Sequence, residues 1–138
     1  MSYDSENIFA KILRGEILSH KVYEDEYTLA FMDIMPQATG HTLVIPKEPA
    51  RTLFDLSDTA CTHLIRAVQR VGVAVKLAMK ADGIVVMQLN GIAAGQTVDH
   101  VHFHVVPGSV HDFGKHSAEE NQAGDLALLA DKIIQCMS

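Results

Sequence analysis

"D-H-V-H-F-H-V-V-P" runs from Asp99 to Pro107 and holds three of the chain's eight histidines, His100, His102 and His104, at alternate positions. Successive side chains of a β-strand point to opposite faces. The spacing therefore predicts a strand with an imidazole face and an apolar face, the latter made by Val101, Phe103 and Val105 and turned to a core. On a helix, a spacing of two would scatter the rings. Pro107 and Gly108 end the run.

The patterns on either side complete an α+β chain. Asn7 to Arg14 reads as a short helix with Ile8, Phe9, Ile12 and Leu13 on one side, stopped by Gly15. Lys21–Glu24 and Thr28–Asp33 read as a hairpin, and His41–Pro46 as a strand closed by proline. Ser57 is placed as the N-cap of a long helix over Asp58–Lys80, with its end assigned to Asp82-Gly83. Gly83–Leu89 is a fourth strand, and Asn90–Thr97 a Gly-rich loop that enters the histidine strand. That loop is too short for a parallel crossover, so the last two strands pair antiparallel. An irregular stretch with Gly108, His111, Gly114 and His116 precedes a last helix carrying Leu126, Leu129, Ala130, Ile133 and Met137. The expectation is one domain over 1–138, with a mainly antiparallel five-stranded sheet and helices packed on it.

Composition narrows the function. A net charge of −6 disfavours a nucleic-acid polymer as partner, since such proteins carry a basic face. A small nucleotide needs only a few amides and side chains. No apolar run is long enough to span a bilayer. Two distant cysteines, Cys61 and Cys136, form no C-x-x-C pair, and Met1 is followed by polar residues rather than a signal peptide. Together these point to a cytoplasmic chain with no membrane partner.

Three imidazoles in register admit three chemistries: a metal site, a nucleophile with positioning partners, or rings that only satisfy hydrogen bonds. A metal site asks for nearby carboxylates or thiolates. Asp99 is adjacent but alternates onto the opposite face. The residues leading in are Gly95-Gln96-Thr97, small or polar groups suited to cradling an anion. A phosphate cradle beside a nucleophilic imidazole is the reading these neighbours favour.

With these residues in view, the chain resembles the histidine triad (HIT) family of nucleotide-binding hydrolases, whose signature His-φ-His-φ-His-φ-φ is met by His100 to Val106. The likeness extends over "N-I-F-A-K-I-L-R-G-E-I" from Asn7 and "Y-E-D-E-Y-T-L-A-F-M-D-I-M-P-Q-A-T-G-H-T-L-V-I-P-K" from Tyr23. The resemblance implies a HIT-like fold and a set of roles. His102 is the implied nucleophile at the α-phosphorus, forming a nucleotidyl-histidine that water resolves to release AMP. His104 contacts phosphate and moves the proton, His100 orients His102 through its backbone, and His41 completes the relay. Asp33 is implied to bind the ribose, and Ile8, Phe9, Ile12, Phe31, Ile34 and Leu43 to form the base pocket. Asn90, Gly95, Gln96 and Thr97 are implied to hold the phosphate or leaving group.

The implied partner is a purine nucleotide such as AMP or an adenosine phosphoramidate, with no cofactor and no catalytic metal. The resemblance also implies a homodimer with its sheet continued across a two-fold axis, and the wide apolar surface of the long helix agrees. Many relatives carry Cys-Ile-Phe-Cys and a later histidine around a structural zinc; here Asn7, Ala10 and Pro49 stand at those places. Dinucleoside polyphosphate hydrolases of the family often have arginine where this chain has Gly108. The expectation is a nucleoside phosphoramidase or nucleotidyl hydrolase of the HINT-like branch. The alternatives are a dinucleoside polyphosphate hydrolase and a nucleotide- or metal-binding module with little turnover.

Overall fold

A computed structural model of the chain describes residues 2–113 and 123–138, so Gly114 and His116 lie outside the described residues. The elements are α1 (Ile8–Leu13), β1 (Lys21–Glu24), β2 (Thr28–Met32), β3 (Thr42–Pro46), α2 (Asp58–Met79), β4 (Ile84–Gln88), β5 (Phe103–Pro107) and α3 (Ala123–Gln135). The five strands form one antiparallel sheet in the order β1-β2-β3-β5-β4. No helix among the described residues is long and apolar enough to cross a membrane.

Period-two alternation along β2 and β3 divides two hydrophobic clusters. Ala30, Met32, Val44 and Val105 turn to one face and pack beneath α2 and α3 against Leu64, Val68, Val71, Val75, Leu126 and Ile133. Leu29, Phe31, Leu43 and Ile45 turn to the other face, where α1 contributes Phe9 and Ile12. Both faces of β2 and β3 are buried, which explains why these strands read as unbroken apolar runs.

Capping follows the sequence closely at the helix starts. Asn7 Oδ1 accepts from the Ala10 amide at 2.9 Å, and Ser57 Oγ accepts from the Ala60 amide at 3.1 Å. The end of α2 differs from expectation. The helix stops at Met79, and Lys80 rather than a glycine takes the left-handed conformation, φ 52°. The Lys80 and Ala81 amides close the turn onto the Leu77 and Lys76 carbonyls.

The histidine strand is also shorter than the alternation predicts. β5 begins at Phe103, so His100 and His102 precede it and only His104 lies in the ladder. The reason is visible at the end of β3. Pro46 has no amide to give, and its carbonyl is taken by the His100 ring at 2.8 Å. The Val101 amide turns instead to the Ala50 carbonyl at 2.9 Å.

Candidate active site

A row of paired residues crosses the sheet: Phe31 opposite Leu43, Leu43 opposite His104, and His104 opposite Met87. Because paired residues share a face, this row forms the floor of a cavity. The short α1 covers part of it and leaves a cleft of about 600 Å³, within the ~300–1,000 Å³ usual for small-molecule sites. Ile8, Phe9, Ile12, Phe31, Ile34 and Leu43 line its apolar part; Asp33, His41, Gly95, Thr97, His102 and His104 also line it.

The turn before β3 delivers His41. Gly40 adopts φ +95°, and a Cβ there would meet Met79 Cγ at 2.6 Å, so both conformation and space require glycine. The Gln37 amide donates to His41 Nδ1 at 3.0 Å, which leaves the proton of the neutral ring on Nε2. His41 Nε2 lies 3.0 Å from His104 Nδ1 and 3.4 Å from Asp33 Oδ2. Donation from His41 makes His104 Nδ1 the acceptor, so neutral His104 carries its own proton on Nε2.

His102 is held in the opposite tautomer. Its Nδ1 lies 2.7 Å from the His100 carbonyl, an acceptor only, so Nδ1 donates and the Nε2 lone pair is unprotonated. Phe9 meets the His102 ring edge-on at 5.0 Å, and the His104 ring lies at the same centroid distance. Each of these rings is kept neutral chiefly by burial. Burial lowers the pKa of His41, with Asp33 opposing, and that of His102, with the His100 carbonyl and Asp33 opposing. Burial, then the neighbouring His102 and His41, push His104 down to about 3.

Three residues assigned by sequence to the site do not line the cavity. Gln96 is buried, and its side chain is spent inside the loop: Oε1 accepts from Gly91, and Nε2 donates to the Arg51 and Val98 carbonyls. Asn90 accepts from the Leu53 amide and exchanges hydrogen bonds with Gln88. Both bond to neighbouring main chain or side chains and so help to shape the loop. His100 is fully buried behind His102. The cavity also uses Ile17, Leu18, Met87 and Leu89, which sequence reading did not select. Period-two reading of β4 opposite His104 could have found Met87, whereas the segment carrying Ile17 and Leu18 has no regular pattern.

Asp33, His41 and His104 bring three ligand-type atoms within 4.8 Å of one another, so this end of the cavity has donors for a cation. The places linked above to structural zinc do not fit one. Asn7 caps α1, Ala10 is a buried methyl, and Pro49 offers no side-chain donor.

A HIT domain model matches residues 14–111, well over half of the chain. The adenosine 5'-monophosphoramidase of Schizosaccharomyces pombe is 42% identical over 107 residues, covering 78% of this chain and 77% of that protein. A crystal structure of a Hit-like protein from Bartonella henselae superposes with a TM-score of 0.91 at 47% identity, covering 99% of this chain and 100% of the other. A zinc-bound histidine triad family protein from Mycobacterium smegmatis gives 0.80 at 31% identity, covering 95% and 92%. The triad, the sheet that carries it and these likenesses agree: the chain belongs to the HIT family of nucleotide-binding hydrolases.

Proposed function

We propose that this protein hydrolyses purine nucleotide derivatives at the α-phosphorus, with AMP phosphoramidates as its preferred substrates, through a nucleotidyl-His102 intermediate. The observation that carries this is the tautomer of His102. Its Nδ1–H is tied to the His100 carbonyl, so the Nε2 lone pair is the ring's nucleophilic atom, in a cavity with an apolar end for a base. Relatives named as adenosine 5'-monophosphoramidases support the substrate class.

Nε2 of His102 attacks phosphorus, and the bond from phosphorus to the leaving nitrogen breaks. The leaving amine takes a proton from the His41–His104 pair, whose charged form is favoured once phosphate anion lies beside it. Water then attacks phosphorus, the bond to His102 breaks, and the pair recovers a proton from that water. AMP leaves and His102 returns neutral. Asp33 accepts the ribose hydroxyls, and the Thr97 hydroxyl at the cavity wall donates to the phosphate. No metal enters these steps.

Rapid quenching with a labelled phosphoramidate tests the reading: AMP should be trapped on His102 as an acid-labile, base-stable adduct. Comparing turnover with a diadenosine polyphosphate separates the phosphoramidase from the dinucleoside polyphosphate hydrolase. AMP binding without cleavage of either substrate would leave a binding module. Loss of activity to a chelator would favour a metal at Asp33, His41 and His104.

We also propose a homodimer. β4 is an edge strand with Val86 exposed, and α2 exposes Ile65, Val73 and Leu77. Sedimentation at low micromolar concentration should give twice the chain mass. A reducing, cytoplasmic setting suits the free thiols of Cys61 and Cys136.

A further inference from the structure

We propose that Tyr3 is a positioning residue for the nucleophile, acting through His100; the inference rests on His102 being that nucleophile. The Tyr3 hydroxyl lies 2.6 Å from His100 Nδ1, across a separation of 97 residues. His100 Nε2 lies 2.8 Å from the Pro46 carbonyl. A carbonyl only accepts, so Nε2 carries the proton, Nδ1 is a bare acceptor, and the tyrosine hydroxyl donates to it. Both nitrogens of a fully buried ring are thereby used, one from the N-terminal segment and one from the end of β3.

The same residue presents its main-chain carbonyl to His102 Nδ1 at 2.7 Å. The side chain of His100 therefore anchors the backbone group that sets the tautomer and direction of His102. Burial holds the His100 ring neutral, with a pKa pushed down to about 4, so the hydroxyl donates throughout the physiological range.

The N-terminal segment is built to deliver that hydroxyl. Asn7 Nδ2 donates to the Asp4 carbonyl at 2.8 Å, and Arg14 Nη1 donates to the Ser5 carbonyl at 2.7 Å. The Tyr3 ring meets His100 edge-on at 5.6 Å. Removing only the hydroxyl leaves Nδ1 buried without a donor. The ring must then turn toward another donor or shift to admit water. Either change loosens the carbonyl on which His102 depends, and small misplacements of a reacting group cost rate steeply.

Tyr3→Phe keeps the ring and deletes the donor. Asp25→Ala, which removes acceptor bonds from the hairpin turn, supplies a destabilised control remote from the site. The expected result for Tyr3→Phe is kcat reduced ~10-fold with KM within two-fold of wild type. Its ¹⁵N spectrum should show the His102 ring divided between tautomers, where the wild type shows Nδ1–H alone. Asp25→Ala should lower Tm and leave both kcat and the His102 signals unchanged.

A Tyr3→Phe protein with lowered Tm but wild-type kcat and a single His102 tautomer would overturn the proposal. Should Tyr3→Phe fail to fold, the wild-type spectrum decides. A slowly exchanging Tyr3 hydroxyl proton coupled through space to His100 supports the bond, and its absence overturns the proposal. The ¹⁵N readout needs no substrate. Lack of phosphoramidate turnover by the wild type would therefore defeat the proposed function without being mistaken for failure of the Tyr3 assignment.

Discussion

The two faces of the sheet are covered by helices of very different length, and the difference separates stability from chemistry. On one face α2, at 22 residues, and α3 bury Val44, Val105, Leu64 and Ile133 in a filled core. On the other face α1 is only 6 residues long and meets a smaller cluster, leaving the transverse row through His104 beside a cavity. β5 spans both: Phe103 and Val105 pack toward α2, while His104 faces the cavity. The filled face can therefore be weakened without touching a reacting atom, and the open face can lose a reacting atom with little loss of packing.

The largest expected effect lies on the open face. His102→Ala should lower turnover on the order of 10⁴-fold or more while AMP affinity stays within a few-fold, since a nucleophile contributes little to ground-state binding. Adding His104→Ala should make turnover little worse, because the two act as a unit. Steady-state kinetics with calorimetric AMP titration checks both. Near wild-type turnover by His102→Ala would remove the distinction between the faces.

Leu64→Ala tests the filled face. Leu64 is fully buried on the sheet-facing side of α2, so truncation should cost about 2–5 kcal/mol of stability. Denaturant unfolding should show the loss, and kcat of the folded protein should remain at the wild-type value. A matching fall in kcat would mean that the two faces are coupled through β5.

Acid should sharpen the comparison. His100 and His104 have pKa values depressed from 6.5 to about 4 and about 3. The unfolded chain takes up protons below pH 6.5 that these buried rings refuse, so their contribution is complete above 6.5. It declines as pH falls through the window down to about 4 for His100 and about 3 for His104. Unfolding measured from pH 7 to 3.5 should show this decline. It should be smaller in His100→Gln, which removes one of the titrating rings.

The smallest expected effect concerns the nucleoside. Asp33→Asn keeps shape and removes charge, and should raise KM ~10-fold, the scale of one charged hydrogen bond. A change confined to kcat would assign Asp33 to the proton relay through His41, 3.4 Å away, instead of to ribose.

Much of this was legible locally. Alternation at Phe103, His104 and Val105, the N-cap Ser57, and the apolar spacing of α2 each depend on neighbours within one or two turns. Those patterns, with the triad itself, determined an α+β chain and the family. The sequence could not show which groups the Gln96 and Asn90 side chains bond, because an amide side chain serves backbone or ligand equally well until its neighbours are placed. Nor could it start β5 at Phe103, since that depended on which group would take the Pro46 carbonyl.

The sequence by itself determined which residue types stand together on each strand and helix, because side-chain period is a property of the backbone alone. Tertiary structure alone decided which nitrogen of His100 and His104 carries the proton. His41 meets His104 across 63 residues, His100 meets Pro46 across 54 and Tyr3 across 97. An imidazole has two nearly equivalent tautomers, and only the partner brought to it by packing selects between them.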